Sequence, residues 1–271
     1  MIDFNDIPEK TERNLDAERE EIRAAAETAV RRAEAEAPKW FGRLPKETCV
    51  IVEVPDLEAE GSAPAYYMPP SLDGSRPGTY FQNTWKPEER TSFDLESVAF
   101  HEAGPGHHFQ ICISQETEGL PLLRRLSMFT AYVEGWGLYS ERLADEMGLY
   151  SSDLQRIGML SADAWRATRL VVDTGMHAFG WTREQALQFM VDNAPIARID
   201  AEAEIDRYIA YPGQALSYMT GRLEIERVRA ECGKTLGERF DLRAFHDQVL
   251  ANGALPLNVF ADAMRAWAAA Q

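Results

Sequence analysis

"HEAGPGHHFQ", His101–Gln110, places three of the chain's five histidines and a glutamate in ten residues, around a Gly104-Pro105-Gly106 step. A zinc site for hydrolysis needs three protein ligands, an open position for water, and a carboxylate to take that water's proton. The usual helical arrangement is H-E-x-x-H, where i,i+4 spacing puts two imidazoles on one face. Here His107 follows His101 by six residues and His108 by seven. On a straight helix the first spacing swings the ring by about 120°, and the second carries it about 10.5 Å along the axis. Neither pair could then share an ion with bonds of about 2 Å. Pro105 removes the straight helix, because it lacks the N–H that would bond the carbonyl of residue i−4, and that residue is His101. Gly104 and Gly106 can absorb a bend. Two outcomes stay open at this point. Either two residues loop out and a histidine reaches the second-ligand place of H-E-x-x-H, or the helix ends at Gly104 and the cluster is only a turn.

A third ligand is the next requirement, and "MFTAYVEGWGLYSE" offers Glu134 in an apolar helix face beside Tyr132, Val133, Trp136 and Tyr139. A carboxylate there is costly to bury unless it meets positive charge or a metal. The plain structural partner would be Arg124, Arg125 or Arg142.

The 271 residues, 45% of them hydrophobic, are enough for a sizeable core. We expect two parts packed as one compact unit: residues 1–90, an N-terminal helix plus a small β-sheet, and residues 91–271, a helical zinc-site domain. The net charge of −16 opposes nucleic acid and anionic membrane as partners. The sequence has no apolar run of transmembrane length and opens without a signal-sequence pattern, so the expected location is cytoplasmic. Cys49, Cys112 and Cys232 are odd in number and far apart, which points to reduced, mostly buried thiols.

The Glu/Arg/Ala-rich stretch 9–37 reads as a helix with a thin apolar stripe of Leu15, Ile22, Ala26, Ala29, Val30 and Ala33, ended by Pro38. Between Trp40 and Trp85, "TCVIVEVP" and "GTYFQNT" read as short strands among Pro/Gly-rich turns. The "GTYFQNT" strand, taken as an edge, could align a peptide by backbone pairing. Helical periodicity follows. Thr91 or Asp94 can cap a helix into "LESVAFHEA", and Gly148 closes a long one containing Glu134. Ser151 or Ser152 opens another that Gly180 ends, Thr182 to Gln185 forms a capping box, and two tail helices part at Asn252-Gly253. The fold class is mainly α with a small β-sheet, α+β.

"HEAGPGHHFQ" (101–110), "YVEGWGLYSERLADEMGLY" (132–150), "RLVVDTGMHAFGW" (169–181) and "RYIAYPGQALSYMTG" (207–221), with the closing "FHDQVLANGALPLNVF" (245–260), resemble the domain-of-unknown-function family numbered 885, placed near the gluzincin zinc peptidases. The resemblance implies a gluzincin-like helical metallopeptidase domain with His101, His107 and Glu134 as Zn2+ ligands and Glu102 as general base. His108 is the alternative ligand. Members of the family are longer, with a large helical N-terminal half, so this chain resembles only the C-terminal half. Its thin N-terminal stripe fits a helix whose partner is absent, and its partners would be a missing N-terminal half or a second copy, besides a peptide substrate.

Further roles follow from residue type. Pro212-Gly213 makes a turn, after which Gln214 and Tyr218 lie i,i+4 on one face. Tyr218 is the candidate oxyanion donor, and Arg207 the candidate for binding a substrate carboxylate or holding the loop. Tyr218 could equally be core, and Arg207 could pair with Asp206 or Glu204. His177, in the last turn of a helix, has a structural reason in the helix dipole and a possible role as a second donor. Glu141, on the face of Glu134, could orient a ligand histidine. His246 reads as structural. The expected function is zinc-dependent hydrolysis of peptide bonds. The competing expectations are a non-catalytic zinc-stabilised, peptide-binding helical module or inactive fragment, and a helical interaction protein without a cofactor.

Overall fold

The Glu/Arg/Ala-rich opening forms α1, Leu15–Glu36, in the computed structural model, which describes residues 15–60, 62–87 and 93–271. Residues 9–14 of the expected helix, and Thr91 as a cap, lie outside the described residues. A single 3-10 turn, Ala37–Lys39, ends α1 at Pro38. Then come β1 (Cys49–Glu53), the one-turn α2 (Asp56–Ala59), β2 (Ala65–Met68) and β3 (Gly78–Gln82). The helical part runs α3 (Leu95–Glu102), α4 (His107–Glu116), α5 (Leu122–Leu126), α6 (Thr130–Glu146) and α7 (Asp153–Phe179). It continues α8 (Arg183–Asn193), α9 (Arg198–Ala210), α10 (Ser217–Leu236), α11 (Leu242–Ala251) and α12 (Leu257–Ala270). The architecture is mainly helical with one small sheet, α+β.

The helix boundaries follow local chemistry. Ser152 caps α7 through its side chain, Gly180 ends it in the left-handed region, and Thr182 and Gln185 make both bonds of the capping box that starts α8. α11 and α12 part after Ala251.

The sheet order is β1-β3-β2, with β3 parallel to β1 and antiparallel to β2. The "GTYFQNT" strand is therefore central, not an edge. Cys49 to Glu53 pair with Gly78 to Gln82 on one side, and Ala65 to Met68 pair with the same strand on the other. An edge that could receive a peptide belongs to β2.

α1 also departs from expectation. Ala26, Ala29, Val30 and Ala33 are buried, with α1 packed on β1 and α3, and Arg32 reaches Glu96 at 2.7 Å. The stripe has its partner within this chain; only its outer end, Leu15, is 44% exposed. The stripe is thin because alanines let the backbones approach closely.

Two apolar clusters hold the molecule together. The larger runs from Ala26 through Tyr80, Phe100, Trp136 and Tyr139 to Phe245, Phe260 and Ala268, so one core crosses residue 90. The smaller joins α7, α8 and α9 through Val172, Leu187, Met190, Ile205 and Tyr208. Cys112 and Cys232 are buried free thiols and Cys49 is a partly buried one. No helix among the described residues is long and apolar enough to cross a membrane.

Candidate metal centre

The helix does stop at the Gly-Pro-Gly step: α3 ends at Glu102 and α4 begins at His107. The Gly104–Pro105 peptide is cis. Gly106 sits so close to the end of α3 that a Cβ there would collide with the carbonyl oxygens of Phe100 and His101. α6 clamps the step from the other side, with Trp136 Nε1–H (2.9 Å) and the Ser140 hydroxyl (3.2 Å) both donating to the Pro105 carbonyl. The result joins parts of both sequence outcomes. The helix ends, yet His107 opens the next helix with its ring centroid 4.7 Å from that of His101.

α6 brings Glu134 to the pair. Its Oε2 lies 3.5 Å from Nε2 of His101 and 3.5 Å from Nε2 of His107, and one ligand atom from each of the three residues lies within 4.8 Å of the others. The approach depends on small residues. A Cβ on Gly137 would lie 2.7 Å from the His101 ring, and one on Gly135 would lie 2.5 Å from the backbone of Gly221 on α10. None of the expected arginine partners takes Glu134. Arg142 pairs with Asp163, while Arg124 and Arg125 donate to the carbonyls of Asn252 and Gln115.

His108 points elsewhere: Nδ1 meets the Tyr67 hydroxyl at 2.9 Å and Nε2 the Glu47 carbonyl at 2.8 Å. The neighbour of His107 is thus committed to the sheet side and is not brought to Glu134.

The surroundings fix ring orientation. Glu141, fully buried, accepts from His101 Nδ1–H at 2.8 Å and from the Ser97 hydroxyl at 2.6 Å, which leaves His101 Nε2 facing Glu134. Burial raises the Glu141 carboxyl, but Arg166, with Nη2 3.8 Å away, His101 and Ser97 together hold it below the usual carboxylate range. Burial likewise opposes charge on His101 and Glu134. Contact with Glu134 and Glu141 overturns this for His101, raising it to about 9, and the two imidazoles hold Glu134 well below the carboxylate range. Glu102 lines the same cavity, and burial holds its carboxyl above the usual range against the pull of His107 and His101.

Does this donor set fit a metal? Glu134 Oε2 is buried with no hydrogen-bond partner among the described residues. A tetrahedral ion with bonds of about 2.0–2.1 Å separates its ligand atoms by about 3.3 Å, close to the two 3.5 Å gaps. One adjustment is needed. The Gln110 amide donates to His107 Nδ1 (2.8 Å) and to the Val133 carbonyl (2.9 Å), so a neutral His107 carries its proton on Nε2. To offer Nε2, His107 must move that proton to Nδ1, and Gln110 must turn its Oε1 towards it. With that change the two histidines and the carboxylate fit a divalent cation.

The remaining sequence candidates divide. Tyr218 stacks on His101 at 6.1 Å between centroids, and Gln214 Nε2 donates to the Tyr218 hydroxyl (3.3 Å) and to Glu134 Oε1 (3.4 Å). Burial and Glu134 push the Tyr218 phenol up to about 12, so it keeps its proton as a donor. Arg207 lines the cavity but is held by Glu204 (2.8 Å) and by Gln214 Oε1 (2.7 Å), the structural pairing that its sequence neighbours allowed. His177 is not brought to the site: its Nε2–H donates to the Tyr208 carbonyl at 3.1 Å, and it does not line the cavity. His246 is structural, bonded to Tyr139 Oη (2.8 Å) and the Trp40 carbonyl (3.0 Å).

The cavity itself, about 300 Å³, opens between the two apolar clusters. Its lining combines His101, Glu102, His107 and Glu134 with Ala63 to Tyr66, which lead into β2, and with Trp165, Arg166, Arg169, Glu204 and Tyr218. Sequence reasoning named Tyr218 and Arg207 but missed Trp165, Arg166 and Arg169, because α7 brings them to the cavity from a distant stretch.

No curated protein matches the chain. Among solved structures it is similar to a putative lipoprotein from Colwellia psychrerythraea, with 40% identity and a TM-score of 0.91, covering 93% of this chain and 43% of that one. It is also similar to a putative lipoprotein of unknown function from Shewanella oneidensis, with 25% identity and a TM-score of 0.69, covering 96% of this chain and 50% of that one. The chain thus spans half or less of the length of either structure. Residues 3–264 match one family description, so the likeness is not confined to stretches after residue 80 and takes in α1 and the sheet. The chain belongs to the family described as "Bacterial protein of unknown function (DUF885)".

Proposed function

We propose that the cavity is the site of a zinc-dependent hydrolase acting on peptide bonds, in a gluzincin-like arrangement with His101, His107 and Glu134 as ligands. The observation that carries this reading is convergence: three ligand-type atoms within 4.8 Å of one another, one of them a buried carboxylate oxygen without a hydrogen-bond partner among the described residues, line one cavity with Glu102. A purely structural site would have no need of a carboxylate next to its ligand in the cavity. Two imidazoles and one carboxylate favour zinc by ligand type.

When bound, zinc supplies Lewis acidity, polarising a carbonyl and acidifying water. Glu102 accepts the proton of the attacking water and can return it to the leaving amine. Tyr218 donates its phenolic hydrogen to the oxyanion, and Gln214 holds that hydroxyl beside Glu134. Glu141 keeps the His101 proton on Nδ1.

The alternative is a non-catalytic zinc-stabilised, peptide-binding module or an inactive fragment of a longer protein. One observation favours it: the chain spans 43% and 50% of the lengths of its two solved neighbours. On location, the lipoprotein descriptions of those neighbours favour the cell envelope over the cytoplasm.

Metal analysis of the purified chain tests the site. One equivalent of zinc is expected in wild type and none in His101→Ala or Glu134→Ala; an empty wild type, or full occupancy in both variants, would overturn it. Glu102→Gln should keep its zinc and lose about 10²–10⁴-fold in peptide turnover. Unchanged turnover removes Glu102 as base, and zinc-loaded wild type without turnover favours the non-catalytic alternative.

A further inference from the structure

Three arginines, Arg166, Arg169 and Arg207, line the cavity, and Arg169 keeps a donor that no protein group among the described residues takes. Arg169 is 3% exposed yet lines the cavity. Its Nε donates to the Tyr208 hydroxyl at 2.6 Å and its Nη2 to Glu204 at 3.0 Å, while its buried Nη1 has no hydrogen-bond partner among the described residues. Glu204 is also the carboxylate of Arg207, at 2.8 Å. Glu204 is thus shared between the buried Arg169 and the part-exposed Arg207, and the buried Arg169 donor left over is costly unless an acceptor meets it.

The guanidinium is also pre-shaped. Its central carbon lies 4.4 Å from the Trp165 ring centroid and 4.4 Å from that of Tyr218, so aromatic rings hold the group, and its unpaired donor lies on its edge. Arg166 stacks on the same Trp165, also at 4.4 Å. A fixed planar fork matches a carboxylate. Its position sets a length: Tyr218, which Arg169 covers, is itself stacked on His101 at 6.1 Å. With about 3.3–3.6 Å per extended residue, these two contacts place a carboxylate on Arg169 within about three residues of a carbonyl held at His101. A cavity of about 300 Å³ is at the small end for ligand pockets and suits a chain end.

Resting on the peptidase reading above, we infer that Arg169, with Arg166 beside it, binds the C-terminal carboxylate of the peptide, and that cleavage takes place within about three residues of that end. Arg169 is a substrate-binding residue in this scheme, and Arg207 fixes the Glu204 carboxylate that holds it.

Binding isotherms test this on the full chain carrying Glu102→Gln, with and without added zinc, using the tetrapeptide AAAF as free acid and as C-terminal amide. The acid should bind about 10–100-fold more tightly than the amide, the effect of a charge-assisted hydrogen bond. Arg169→Gln should remove the difference and Arg169→Lys restore part of it. Equal affinity for acid and amide, or no binding of either, overturns the inference without needing any Arg169 variant to fold. In the active chain Arg169→Gln should lower kcat/KM for the free acid by about that factor more than it lowers kcat/KM for the amide. Acid-selective binding by a zinc-loaded chain that hydrolyses nothing keeps the carboxylate pocket and removes the hydrolase reading, so the two fail separately.

Discussion

The two faces of α6 meet different demands. On one face Tyr132, Trp136, Tyr139 and Leu143 are buried among Phe41, His246 and Phe260, and every polar tip is paired: Tyr132 with the Val249 carbonyl (2.8 Å), Trp136 with Pro105, Tyr139 with His246. On the other face Glu134, Gly137 and Glu141 meet His101, and a buried Glu134 oxygen has no hydrogen-bond partner among the described residues. The first face is completed by the chain itself and the second is not. Stability comes from the first, since buried polar groups are normally paired and rings normally fill their space. The second keeps an exception that packing alone would have removed, which is where function is expected.

The largest effect on the core face should come from Trp136. Trp136→Ala removes a fully buried ring and the donor that clamps Pro105, and should cost about 3–5 kcal/mol in urea unfolding of the metal-free chain. A loss under about 1 kcal/mol would mean that the aromatic face does not carry the stability assigned to it.

A second contrast sets His246 against His101, at 0% and 4% exposure. Burial lowers His246 to about 4, because its partners are a hydroxyl and a carbonyl, while the carboxylates around His101 raise it to about 9. Their contributions to stability run in opposite directions with pH. The unfolded chain takes up a proton on His246 near pH 6.5 and the folded chain resists until about pH 4, so its contribution is present above 6.5 and lost as pH falls. His101 in the metal-free chain contributes fully below 6.5 and loses its contribution as pH rises through about 9. Unfolding free energy should therefore fall by roughly 3 kcal/mol from His246 alone between pH 6.5 and 4. His246→Gln should flatten that limb and leave the alkaline limb intact; an acid limb unchanged in the variant would refute the assignment.

How much of this was legible in the sequence depends on whether the cause is local. Glu102, His101 and Glu134 stood out because a carboxylate among apolar neighbours and histidines around a proline are unusual wherever they sit. The choice of His107 over His108 was not legible from spacing. It depends on where α4 starts, and on Tyr67 and Glu47 claiming His108 from the sheet side. β3 was visible as a strand but not as the central one, because a short apolar run looks the same in either place. Tyr218 and Arg207 were visible as candidates, but Arg169 beside them was not, for a different reason. Arg169, Glu204 and Tyr218 come from three helices and meet only through packing, aided by the Gly135–Gly221 contact that lets α6 and α10 approach closely. His177 misled for the converse reason: its helix-end position was informative, but its ring serves the backbone of α9.

The smallest expected effect separates the two faces of α6 most cleanly. Gly137 belongs to the site face, and a Cβ there would lie 2.7 Å from the His101 ring, inside the closest contact that real Cβ atoms make. The ring would have to shift, yet it is tied to Glu141 at 2.8 Å through Nδ1, so Gly137→Ala must displace either Nε2, the proposed ligand atom, or the bond that orients it. Losing such an orienting partner typically costs about 10–100-fold in metal affinity. The same substitution removes a glycine from the middle of α6, which by helix propensity should add up to about 1 kcal/mol to the stability of the metal-free chain. Zinc affinity measured by chelator competition should therefore fall while the metal-free unfolding free energy holds or rises, a pairing that general damage to α6 would not produce. If both fall together, the two faces are not independent and the division of labour on α6 is wrong. If neither changes, the His101 ring has room that the structure denies it, and the close approach at Gly137 does not hold the ligand in place.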